Sequence, residues 1–135
     1  MRDGRTKRVG SAGAMDALRF LERNRASLTI LRGPAVGHEV ELREARILIG
    51  RAASARLRLD EGSVSHEHAA LELGATGFGI RDLDSTNGVR VNGGSVDVAE
   101  LAHGDRISIG ACELQYVVER RSDDAPSWQL DDLEA

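Results

Sequence analysis

Between residues 28 and 118, apolar and polar residues alternate in short runs, and a period of two is the signature of half-buried strands. The runs begin with Leu28 and Ile30, Ile47 and Ile49, Leu57 and Leu59, then Ala69, Leu71 and Leu73. Phe78 and Ile80, Ile107 and Ile109, and Leu114, Tyr116 and Val118 continue them. Turn chemistry separates the runs: Arg32-Gly33-Pro34, Asp60-Glu61-Gly62-Ser63, Gly74-Ala75-Thr76-Gly77, Asn87-Gly88 and Asn92-Gly93-Gly94. Short strands with a turn about every ten residues predict an all-β sandwich or barrel, placed here at residues 27–119.

The ends read differently. A chain of 135 residues suits one domain, and at about 150 residues roughly two-thirds of the unfolded surface is buried. Residues 1–26 form a basic arm and short helix. Its first thirteen residues are polar, glycine-containing and expected to be disordered. From Ala14 to Arg25, Met15, Leu18 and Leu21 recur at helical spacing, with Ser11 as a candidate cap. So short a helix is marginal alone, so those three residues are expected to dock it on the domain. Residues 120–135 read as an acidic flexible tail.

Charge narrows the function. Residues 1–26 carry seven Arg/Lys against three Asp/Glu, whereas residues 27–118 carry nine against 13. A net acidic β region argues against a nucleic-acid surface, and four aromatics (Phe20, Phe78, Tyr116, Trp128) cannot build a base-stacking platform. No apolar stretch approaches the ~20 residues needed to span a bilayer, and no signal-peptide core follows the basic start. Cys112 is the sole cysteine, so no intrachain disulfide can form and a cytoplasmic location is the default expectation.

Three motifs carry chemistry: Gly50-Arg51, Val64-Ser65-His66-Glu67-His68-Ala69, and Asp82-Leu83-Asp84-Ser85-Thr86-Asn87-Gly88 running on to Val91-Asn92-Gly93. An arginine fork gives bidentate, charge-assisted hydrogen bonds to phosphate at any physiological pH. Ser65 and Thr86 offer hydroxyl donors without charge, and Asn87 offers an amide donor and acceptor suited to a peptide main chain. Order and spacing closely resemble the forkhead-associated (FHA) domain, a phosphothreonine-peptide-binding sandwich of two antiparallel sheets. Leu101-Ala102-His103-Gly104-Asp105-Arg106-Ile107-Ser108-Ile109-Gly110 resembles that family's late strand pair, so the likeness covers roughly residues 28–118.

The resemblance implies roles. Residues matching Arg51, Ser65 and Thr86 hold the phosphate, and the one matching Asn87 holds the peptide backbone. His68, with Gly50, Gly88 and Asn92, is expected to brace the site. His66 stands where the family often has Arg or Asn; a neutral imidazole donates one hydrogen bond, and a protonated one adds charge beside the phosphate. The implied function is a phosphothreonine-dependent adaptor recruiting a Ser/Thr kinase or its substrate, with no cofactor and no metal. Thr6, the arm's only threonine, is a candidate phosphorylation site that could return to the Arg51 pocket.

Rival readings stand beside this one. Ser85-Thr86-Asn87-Gly88 could be a plain hairpin turn, since Asn-Gly favours one. His66 and His68, two apart, could share a strand face and ligate zinc in a metal-dependent enzyme. Dinucleotide, phosphate-loop and nucleophile-elbow signatures are missing, which argues against catalysis. A sandwich of this kind could also bind its partner without regard to phosphate.

Overall fold

The computed structural model describes residues 15–121; the first fourteen residues with Thr6, and the acidic tail from residue 122, lie outside the described residues. A helix over residues 15–23 leads directly into the first strand, β1 (Asn24–Arg32). There follow β2 (Glu39–Glu41), β3 (Arg46–Gly50), β4 (Leu57–Arg58), β5 (Ala69–Gly74) and β6 (Gly77–Asp82). The series ends with β7 (Val89–Val91), β8 (Gly94–Val96), β9 (Val98–Glu100), β10 (Arg106–Ile109) and β11 (Cys112–Arg120). One sheet has the order β2-β1-β11-β10-β7-β8 and the other β4-β3-β5-β6-β9. The expected two-sheet sandwich is present. One pair departs from the antiparallel pattern: β4 runs parallel to β3, with Ile49 opposite Leu57.

The alternating residues make the core. Ala26, Leu28 and Ile30 of β1 face Cys112, Leu114 and Tyr116 of β11, and Leu28 pairs directly with Tyr116. Ile47, Ile49, Ala69, Leu71, Phe78 and Ile80 close over them from the second sheet. Burying one such Leu, Ile or Phe side chain contributes roughly 1.5–3 kcal/mol. Phe78 and Tyr116 meet edge to face at 6.5 Å, and the buried Tyr116 hydroxyl accepts the Phe78 N–H at 3.1 Å. That bond satisfies the phenol and joins the two sheets through the core.

The helix docks through Leu21, as its spacing predicts, but not through Met15 or Leu18. Ala17 is buried, and Phe20 and Leu21 pack on the core, while Met15 and Leu18 stay 59% and 60% exposed. Apolar residues cover more than half of this helix, so spacing alone leaves two candidate faces. Phe20 decides between them by filling the space left bare at Gly77, where a Cβ would stand 3.3 Å from its ring. The helix also ends earlier than Arg25. The Asn24 amide caps the Phe20 carbonyl at 3.0 Å, and β1 opens at Asn24 by pairing with Arg120.

Polar residues hide that strand start because they serve the sheet's outer face. Arg25 donates to Glu39 on β2 at 3.0 Å, and the fully buried Ser27 hydroxyl donates to the same carboxylate at 3.0 Å. The Arg25 hydrogen bond, then that from Ser27, then the arginine charge hold the Glu39 carboxyl below its usual range. A depressed carboxylate pKa gives stability that is present above the unfolded value and lost as pH falls through the folded one. Urea midpoints measured against pH should therefore decline below about pH 4.3. Arg25→Ala should flatten that decline, and an unchanged acid limb would remove Glu39 from it.

Candidate phosphopeptide-binding site

Four loops meet at one end of the sandwich: those after β3, β4 and β6, and the β10–β11 turn. The loop after β6 carries the chain from the second sheet to β7 in the first, so Asn87-Gly88 lies in a crossover and not in a hairpin turn. The hairpin turn is Asn92-Gly93, between paired Val91 and Gly94, with φ of 51° and 88° at its two residues. Positive φ at both central residues is what Asn-Gly provides in a tight strand reversal.

Arg51 leaves β3 under backbone control. Its N–H donates to the Ser65 carbonyl at 2.9 Å, and its Nε donates to the Val64 carbonyl at 2.9 Å. The Ala52 N–H donates to the His66 carbonyl at 3.1 Å, zipping this loop to the one after β4. With Nε fixed, the guanidinium is oriented while its terminal nitrogens keep their donors for a ligand. Gly50 makes the approach possible: a Cβ there would sit 2.1 Å from the His66 carbonyl oxygen. Gly50→Ala must push the two loops apart, an overpacking defect expected to cost about 1–3 kcal/mol. A urea melt at wild-type midpoint would contradict this contact.

Ser65 and Thr86 are brought together as the motif spacing requires. The Thr86 N–H donates to Ser65 Oγ at 3.0 Å, so the Ser65 hydroxyl proton is left to donate outward. Thr86 and Asn87 are exposed. The Asn87 amide donates to the Ser63 carbonyl at 2.8 Å, which leaves its carbonyl and second N–H for a peptide backbone. His66 is also exposed on this rim, where its backbone carbonyl anchors Ala52.

Beneath these loops lies His68, with no exposed surface. Its Nδ1 accepts the Ser65 N–H at 3.0 Å, and its Nε2 faces the Gly88 carbonyl at 2.8 Å, which requires the Nε2–H tautomer. Both ring nitrogens are thus engaged, and His68 cannot join His66 in holding a metal. Among the described residues no cluster of three or more His, Cys, Asp or Glu is arranged for a metal ion. Gly88 turns the crossover toward β7 with φ of 77°. Asn92 is placed elsewhere, a correction to its expected bracing role. At the other end of β7 it donates to Asp105 at 3.0 Å and accepts the Arg106 N–H at 3.0 Å.

Sequence reasoning assigned no role to Ser63. Its hydroxyl donates to Glu61 and accepts the Ala111 N–H at 2.7 Å, while its carbonyl holds Asn87. The hydrogen bond from its hydroxyl, then that from its N–H, keep the Glu61 carboxyl below the usual range. Asp82 and Ser85 were likewise visible only as motif letters. Asp82 accepts the Ser85 hydroxyl at 2.5 Å, and Ser85 Oγ in turn accepts the Gly88 N–H at 2.9 Å. No local spacing announces the Ser63 contact, which reaches Ala111 across 48 residues, whereas Asp82, Ser85 and Gly88 stand three apart, the spacing at which short polar side chains close a turn.

Comparison with known proteins agrees with this geometry. The family described as the cytoplasmic domain of the inner membrane component of the type III secretion system, an FHA-like domain, matches residues 29–120. The glycogen accumulation regulator GarA of Mycolicibacterium smegmatis is 35% identical over 119 residues, covering 88% of this chain and 75% of that protein. An oxoglutarate dehydrogenase inhibitor of Corynebacterium efficiens is 32% identical over 109 residues, covering 81% of this chain and 77% of its own length. An FHA domain solved for its phosphothreonine-dependent interactions superposes with a TM-score of 0.64 at 32% identity, over 69% of this chain and 95% of its own. With the sandwich, the loop constellation and these relatives in agreement, the chain belongs to the forkhead-associated domain family.

Proposed function

We propose that this chain is a phosphothreonine-dependent adaptor in Ser/Thr kinase signalling, its partner a phosphorylated kinase or kinase substrate. The observation that carries the reading is the convergence of Arg51, Ser65 and Thr86 on one rim, with Asn87 beside them. A phosphothreonine brings about −1.5 to −2 charges and three acceptor oxygens, and this rim offers a cation and hydroxyl donors to meet them. Regulators and an inhibitor among the relatives support a binding role over a catalytic one. No helix of the described residues is long and apolar enough to cross a membrane, which fits a cytoplasmic site of action.

Titration of matched threonine, phosphothreonine and phosphoserine peptides tests the proposal. Binding is expected for phosphothreonine and not for unmodified threonine, which would also dismiss a phosphate-blind scaffold. The threonine γ-methyl, if buried, adds roughly 0.8 kcal/mol, so phosphoserine is expected to bind about four-fold more weakly. Equal affinity for phosphorylated and unmodified peptides would sink the reading.

A further inference from the structure

At the end of the sandwich away from Arg51, beside the β5–β6 turn, the helix over residues 15–23 leaves Met15 and Leu18 exposed. Arg19 follows Met15 by four residues and Arg23 follows Arg19 by four, so one stripe carries an apolar head and two cations. Both arginines are exposed, and neither is paired with a carboxylate of the described residues. They line a cleft of about 310 Å³ that also takes in Phe20 and Ala75, with Asp16 its one acid. The last strand delivers the chain to this helix. The Arg121 N–H donates to the Arg23 carbonyl at 2.8 Å, and Arg121 Nε donates to the Leu21 carbonyl at 2.9 Å. The chain therefore leaves the described fold against the helix's last turn.

We propose that the acidic tail docks back on this face, Trp128 and Leu130 covering Met15 and Leu18 while Asp131 and Asp132 meet Arg19 and Arg23. Reach permits it. Trp128 is seven residues past Arg121, up to about 23 Å of extended chain, whereas the nine-residue helix is only about 14 Å long. Charge favours it, because residues 122–135 carry five acids and no Arg, Lys or His. Residues 1–14, the other segment within reach, carry four Arg/Lys against one Asp and would repel the same arginines. The tail also brings large apolar side chains in Trp128, Leu130 and Leu133, where residues 1–14 hold only Met1 and Val9. So short a tether gives an effective concentration of about millimolar, so a contact with a Kd of about 1 mM would already close half the molecules. Once covered, Met15 and Leu18 are no longer open to other chains.

Trp128 is the sole tryptophan, so fluorescence of the full chain reports its surroundings directly. In the native protein its emission is expected to lie to the blue of that from the urea-unfolded chain. Acrylamide should quench it less, and neither reading should change on dilution. Met15→Gln with Leu18→Gln keeps good helix formers at two exposed positions, yet should return emission and quenching to the unfolded values. A cooperative urea melt followed by circular dichroism shows that this variant still folds. Arg19→Glu with Arg23→Glu should weaken docking without touching an apolar contact, and adding Asp131→Arg with Asp132→Arg should restore it. Should the glutamine variant fail to fold, this charge exchange decides alone. Native emission identical to that of the unfolded chain would overturn the proposal. A blue shift that survives Met15→Gln with Leu18→Gln would also overturn it, by placing Trp128 elsewhere. One that fades on dilution would give the face to a second copy instead, and charge reversal without effect would remove Arg19 and Arg23 from the contact.

Discussion

Arg51→Ala is expected to abolish measurable phosphopeptide binding while the protein still folds. Losing one partner of a charged, hydrogen-bonded contact typically costs 2–5 kcal/mol, a drop of about 30-fold or more in affinity. On the folding side the change removes one hydrogen bond, from Nε to the Val64 carbonyl, worth about 1 kcal/mol. The loops stay joined because the Arg51 and Ala52 N–H groups, which hold the Ser65 and His66 carbonyls, belong to the backbone. Binding and stability should therefore separate cleanly. Calorimetric titration and a urea melt of the same preparation measure both. Arg51→Lys sharpens the comparison: it keeps the charge but loses the planar fork and the fixed Nε donor, so it should recover only part of the affinity. An Arg51→Ala protein that melts normally and binds as tightly as wild type would displace the phosphate from this rim.

Much of this was legible in the sequence because the core obeys a strict period. Every alternating run, from Leu28-Ile30 to Leu114-Tyr116, lies in or beside a strand with its apolar residues inward. What escaped has no period to read. β2, β7, β8 and β9 are three residues each, too short for alternation to show, and β2 is Glu-Val-Glu. Its acidic residues make sense only beside Arg25 on the neighbouring strand. The helix stripe is legible only in part for a related reason: Leu21 packs as its spacing predicts, but Met15 and Leu18 fit the spacing as well as the Ala17 and Phe20 that dock beside it. The choice belongs to a bare glycine 57 residues further on, at Gly77. At the site, the residues proposed to face the ligand can be read from the sequence because they cluster in short motifs. Their supports cannot, because Val64 acts through a backbone carbonyl, Gly110 through bareness, and Ser63 through contacts far along the chain. At Gly110 a Cβ would stand 2.7 Å from the Ser63 carbonyl, a constraint that no motif letter encodes.

The support with the largest stake is His68. Replacing it with alanine empties a fully buried site and orphans the Ser65 N–H and the Gly88 carbonyl together. Each part-buried backbone group left unpaired costs up to about 1–3 kcal/mol, and the cavity adds to that, so a total loss of about 3–5 kcal/mol is expected. For a domain of this size that corresponds to a fall in Tm of roughly 10–20 °C. His68→Phe separates the two contributions, since it refills most of the volume yet restores neither hydrogen bond. If polar satisfaction dominates, Phe should be nearly as damaging as Ala; if the cavity dominates, Phe should recover most of the loss. The site reports on the same change, because Ser65 presents its hydroxyl from one end of this bridge and Gly88 follows Asn87 at the other. Under conditions where the variants remain folded, phosphopeptide affinity should fall even though His68 touches no ligand. A His68→Ala protein within about 1 kcal/mol of wild type, with unchanged affinity, would mean the loops hold their places without the bridge.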